Sequence, residues 1–177
     1  FEFQFSIMPL FATIPIFEST TLYVWKITED FDTLFKEVAL KDTSLFRLEN
    51  MKSESHQKGF LAVRMLLQYL GLSDYNLDYD ETGKPYLKFE VGSLKLEKSP
   101  NTQHPASNTQ HVSISHSFDF SAIVISDKNV GLDVEQIKDK NLKIAPRFMN
   151  VKHLEGLNEE NAMQKATVIW GIKETIF

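Results

Sequence analysis

Between Val130 and Glu135 the chain reads Val-Gly-Leu-Asp-Val-Glu, and this alternation constrains the fold more than any other stretch. On an extended backbone, Val130, Leu132 and Val134 face one way, while Gly131, Asp133 and Glu135 face the other. Two carboxylates then lie on the same side, about 7 Å apart at their Cα atoms, beside a glycine that leaves room. Like charges at that spacing repel, and a partly buried carboxylate without a partner is costly. A divalent cation relieves both, and hard oxygen ligands suit magnesium. The pair reads as a strand carrying a metal site.

The remaining pattern mixes strands and helices without regular alternation. Thr21 to Ile27 reads as a strand. Helical spacing runs from Thr28 to Leu40 and from Ser53 to Leu70, the second with a stripe of Phe60, Val63, Leu67 and Leu70 closed by Gly71. A turn at Asp80 to Pro85 separates short strands near Leu77 to Tyr79 and Tyr86 to Phe89. Ser99 to Gln110 holds no charged or large apolar residue and reads as a mobile loop, which makes bystanders of His104 and His111 beside it. Val112 to Ser115 and Ser121 to Ser126 read as strands, Leu142 to Phe148 and Asn158 to Phe177 as helices. An α+β fold is expected.

On the last helix the inward stripe is expected to be Met163, Ala166, Trp170, Glu174 and Phe177. A third acid aimed inward at Glu174 would complete an oxygen-rich set with Asp133 and Glu135.

Composition excludes several classes. The chain of 177 residues has no cysteine, which removes disulfide scaffolds, thiolate metal sites and cysteine nucleophiles and suits a reducing cytoplasm. A net charge of −5 speaks against nucleic acid as a partner. No apolar run reaches the roughly 18 residues of a membrane span. Phe1 to Phe17 is apolar but broken by Glu2, Gln4, Pro9 and Pro15, with no basic leader, so a signal peptide is not expected; Met8 would serve as a natural start. No Gly-x-Ser-x-Gly elbow surrounds Ser115, against a serine hydrolase.

Four motifs in order then resemble the 4′-phosphopantetheinyl transferases of the surfactin-synthetase-activating type: Gly83-Lys84-Pro85-Tyr86-Leu87, Ile114-Ser115-His116-Ser117, Val130 to Glu135, and Trp170-Gly171-Ile172-Lys173-Glu174. Leu142 to Phe148 resembles the helix that family places after its acid pair. The resemblance runs from about Arg47 to the end and implies two similar α+β lobes with the site between them.

It implies magnesium held by Asp133, Glu135 and Glu174, and a catalytic set of Glu174, His116 and Lys173. Coenzyme A would meet Ser115, His116, Lys84, Arg47 and Lys58; which of Arg47, Lys52, Lys58 and Arg64 takes its 3′-phosphate stays open. The reaction implied is transfer of phosphopantetheine to a serine of an acyl or peptidyl carrier protein. Lys138, Lys140, Lys143, Arg147 and Lys152, against the single acid Asp139, form a basic stretch suited to an acidic carrier, with Phe148 and Met149 as apolar anchors.

Domain boundaries are expected at 1–20 for an extension, 21–127 for a first lobe and 128–177 for the start of a second. That family carries a further lysine one turn after the last glutamate and further strands beyond it. Neither follows Glu174 in this sequence, which reads either as a fragment of a longer chain or as a shortened second lobe. The alternative readings are a non-catalytic coenzyme A or nucleotide binding module and a magnesium-dependent phosphohydrolase.

Overall fold

A computed structural model gives the architecture of residues 10–88 and 110–176. The loop expected at Ser99 to Gln110 lies outside the described residues save for Gln110, as do Phe89 and Phe177. Six strands form one antiparallel sheet: β1 (Leu10–Phe17), β2 (Thr20–Lys26), β3 (Leu77–Tyr79), β4 (Pro85–Leu87), β5 (His111–Ser117) and β6 (Phe120–Ser126), in the order β1-β2-β6-β5-β4-β3. The helices are α1 (Phe31–Glu37), α2 (Asp42–Glu49), α3 (Glu54–Tyr69), α4 (Asp139–Ile144) and α5 (Glu159–Glu174). The α+β expectation holds, with a single sheet among the described residues. None of the described helices is long and apolar enough to cross a membrane.

The β5–β6 hairpin and β2 form the centre. Full pairing runs from His111↔Ser126 to Ser117↔Phe120, and from Thr20↔Ser126 to Lys26↔Phe120. Alternation sends Tyr23, Trp25, Val112, Ile123 and Ile125 to one face, where they join Phe60, Val63, Leu66 and Leu67 of α3 in the core. α3 packs against that face and against α1. It therefore buries everything from Gly59 to Arg64, a wider arc than the one stripe expected. Leu61, Leu66 and Leu67 are fully buried, each contributing about 1.5–3 kcal/mol. The left-handed backbone at Gly71 (φ 73°) lets the chain leave the helix.

Arg64 is part of that core and is no surface charge. Its Nε donates to Asp74 Oδ1 at 2.9 Å, its Nη1 to the Phe60 carbonyl at 3.2 Å, and its guanidinium lies 3.4 Å from the Phe60 ring centre. Asp74 Oδ2 accepts from the Lys41 amide at 3.0 Å. Arg64 is 3% exposed, which withdraws it from the candidates for the 3′-phosphate.

Several expectations change. The stretch Val130 to Glu135 is not a strand: it pairs with no backbone ladder. The helix expected at Leu142 to Phe148 divides into α4, which starts three residues earlier, and a 3-10 turn at Ala145–Arg147. The inward face of α5 is Ala162, Ala166 and Thr167; Met163 and Trp170 are half-buried and Glu174 is exposed. Thr167 Oγ1 accepts from Asn141 Nδ2 at 2.9 Å, so α4 docks against small residues where larger ones were expected. Within the stretch read as an extension, Leu10–Phe17 forms β1 and pairs with β2.

Candidate functional site

Two groups of polar side chains flank β5, because consecutive residues on a strand point to opposite faces. Ser115 points to one side and His116 to the other.

On the Ser115 side the acid-bearing segment is held by hydroxyls in place of a ladder. Ser113 Oγ accepts from the Leu132 amide and Ser115 Oγ from the Val134 amide, each at 3.0 Å. Ser115 Oγ also donates to Asp133 Oδ1 at 3.3 Å. The opposite edge of the segment meets α5 in antiparallel order. A Cβ at Gly131 would come within 2.4 Å of the Thr175 carbonyl oxygen, and one at Gly171 within 3.0 Å of Asp133 Oδ2. Trp170 Nε1 donates to Glu135 Oε1 at 3.2 Å. Gly131, Asp133 and Glu135 thus share a side as alternation requires, though without a strand partner.

Asp133 Oδ2 is buried and has no hydrogen-bond partner. Desolvation raises the Asp133 pKa, against the lowering effect of Ser115 and the Val134 amide. Glu174 stands one turn beyond Trp170, at the end of α5 that meets Asp133, and is exposed with Lys173. Among the described residues, no three acids or histidines converge closely enough to hold a metal ion by themselves.

On the other side of β5, His116 packs against α3. Its ring centre is 5.6 Å from that of His56, edge to face. Burial lowers the His116 pKa, with further lowering from His56 and Arg47. The guanidinium of Arg47 lies 4.9 Å from the Tyr79 ring centre and 5.9 Å from that of Phe60. Arg47, His56 and His116 therefore form one basic group. Lys58, two residues from His56, projects from another side of the helix, and its charge reaches Asp30.

Lys84 stands in the β3–β4 turn, which Asp80 organises by accepting from the Thr82 and Lys84 amides. Its Nζ donates to Asn129 Oδ1 at 3.3 Å, just ahead of the acid segment. His56 was missed in the sequence because its partner is 60 residues away, and Asn129 because a lone amide carries no pattern.

No family model matches the chain. Over 142 residues it is 26% identical to the 4′-phosphopantetheinyl transferase gsp of Aneurinibacillus migulanus, across 76% of this chain and 52% of that protein. The chain is similar to a 4′-phosphopantetheinyl transferase. The resemblance carried by the four motifs is thereby supported by a match across three quarters of the sequence. The chain spans about half the length of that transferase.

Proposed function

We propose that the chain transfers 4′-phosphopantetheine from coenzyme A to a serine of an acyl or peptidyl carrier protein, in a magnesium-dependent reaction in the cytoplasm. The observation that carries this reading is the docking of Asp133 and Glu135 onto the end of α5 that bears Glu174. A buried carboxylate oxygen without a donor is costly, and Asp133 Oδ2 has the chemistry of a ligand to a hard cation. Magnesium is commonly held by one or two carboxylates together with phosphate oxygens and water. Asp133, Glu135 and Glu174 therefore fit it without converging closely before substrate arrives. When bound, the cation would neutralise charge on the pyrophosphate.

The protein's own residues orient the reactants and move one proton. The serine hydroxyl oxygen attacks the β-phosphorus of coenzyme A, forming a new P–O bond. The bond from that phosphorus to the bridging oxygen breaks, and adenosine 3′,5′-bisphosphate leaves. Glu174, exposed and one turn from Trp170, accepts the serine proton. Ser115, His116 and Lys84 supply donors to the phosphates, and Lys173 adds positive charge beside Glu174. Arg47, beside His116, suits the 3′-phosphate better than Lys58, which projects from another side of α3.

Residues 138–152 would receive the carrier, since Lys138, Lys140, Lys143, Arg147 and Lys152 are all exposed and match an acidic partner. Phe148 is a weaker anchor than the sequence implied, because its ring packs against Trp170 at 5.2 Å. In this reading the first lobe runs to 127 and takes in β1, which pairs with β2, and 128–177 opens a second. A non-catalytic coenzyme A binding module is the second reading, favoured by the lack of a closely converged acid set among the described residues.

The test mixes the protein with coenzyme A, magnesium and apo-carriers of the fatty-acid, polyketide and peptide types, followed by mass spectrometry. Gain of one phosphopantetheine on a carrier supports the transferase. Tight coenzyme binding with no gain on any carrier supports the binding module.

A further inference from the structure

Gly59 lies on α3 where it faces the β5–β6 hairpin. Its carbonyl accepts a hydrogen bond from Ser121 Oγ at 3.0 Å, and both residues are buried. Ser121 is the cross-strand partner of His116. A Cβ at residue 59 would lie 2.6 Å from His116 Cδ2 and 3.0 Å from its Cγ. Real Cβ contacts essentially never fall below 3.0 Å, so the 2.6 Å approach means that any side chain at 59 must displace the imidazole. Meanwhile His56, one turn earlier on α3, meets the same ring edge to face.

A glycine inside a helix costs up to about 1 kcal/mol relative to alanine, so its place at 59 calls for a reason. The backbone conformation supplies none, since Gly59 is not among the glycines of positive φ. The space taken by His116 does.

We infer that Gly59 and Ser121 are positioning residues for His116. The bare backbone at 59 makes a seat for the imidazole, and the Ser121 hydroxyl clamps that turn of α3 to the hairpin carrying the histidine. His116 is thereby held against the helix beside His56 and Arg47, with its remaining surface open to an incoming phosphate. The functional value of this seat rests on the coenzyme reading above, whereas the seat itself does not.

The experiment is a double-mutant cycle of Gly59→Ala and His116→Ala on the full chain, with side-chain NMR of the histidines and calorimetric coenzyme A binding. Gly59→Ala is expected to shift the His116 imidazole signals, to raise its pKa toward the ordinary value as the ring loses its cover, and to weaken coenzyme A binding about tenfold, equivalent to about 1.4 kcal/mol. With His116→Ala already present, the alanine at 59 fits. It should then raise the melting temperature and change coenzyme affinity less than about twofold.

Should Gly59→Ala alone fail to fold while the double variant folds, that rescue establishes the seat. Unmoved His116 signals in folded Gly59→Ala, or a double variant as damaged as Gly59→Ala, would overturn the inference. Absence of coenzyme binding in the unaltered chain would sink the functional reading only, because the imidazole signals report the seat on their own.

Discussion

Asp133 touches Gly171: a methyl group added at residue 171 would stand 3.0 Å from Asp133 Oδ2. The third acid of the expected metal set, Glu174, lies three residues further along the same helix. Helix α5 can approach the acid segment this closely because both contact points, Gly131 and Gly171, lack side chains.

Gly171→Ala should therefore separate stability from binding. Alanine favours the helix by up to about 1 kcal/mol, so the melting temperature holds or rises. The displaced carboxylate should weaken magnesium-dependent coenzyme binding about tenfold, the equivalent of a single lost charge-assisted hydrogen bond. Gly131→Ala is the harsher change, since its Cβ would meet the backbone oxygen of Thr175 at 2.4 Å. It should cost about 1–3 kcal/mol in chemical denaturation, as overpacking does.

Asp133 sets a pH dependence with a definite sign. Its pKa is raised above 3.8 by burial in the folded chain. The folded state thus holds a proton that the unfolded state has already released. The associated stability is present below pH 3.8 and is lost as pH rises through the raised value. At pH 7 the bare carboxylate is a liability, and Asp133→Asn should raise the melting temperature by about 1–2 °C, a modest figure because the group is partly solvated. The difference from the unaltered chain should vanish near pH 3 while magnesium binding is lost. His116 acts in the other direction: its lowered pKa costs stability as pH falls below 6.5.

The Arg64–Asp74 pair should behave as a structural element. Replacing either residue by alanine leaves the other charge buried without its ionic partner, at a cost of about 3–5 kcal/mol. Urea denaturation reads this directly. Arg47→Ala, on an exposed side chain, should leave the denaturation midpoint within about 0.5 kcal/mol of the unaltered chain while weakening coenzyme binding.

Legibility in the sequence followed the range of the interactions. Local signals are clear: the Asp80 turn, the apolar stripe of α3, the alternating β5 and the short apolar run of β6 are all readable from neighbours within a few residues. Helix α2 was missed because its apolar residues, Leu45, Phe46 and Leu48, are few and lie among charges. β1 was missed because Pro15 and mostly exposed side chains hid its alternation. The acid segment reads as a strand with both acids on one side, and only the shared side holds. Its amides bind the Ser113 and Ser115 hydroxyls, and no local pattern announces that choice. The face of α5 was misplaced for a similar reason, as Ala162, Ala166 and Thr167 are buried by close packing of α4, which favours small residues over the large ones that hydrophobic spacing detects.

The most direct test of the site is calorimetric binding of coenzyme A with magnesium present, with magnesium chelated, and with Asp133→Ala. The account predicts clear binding in the first case and at least tenfold weaker binding in the other two. Equal affinity in all three, or no binding even with magnesium, would contradict it.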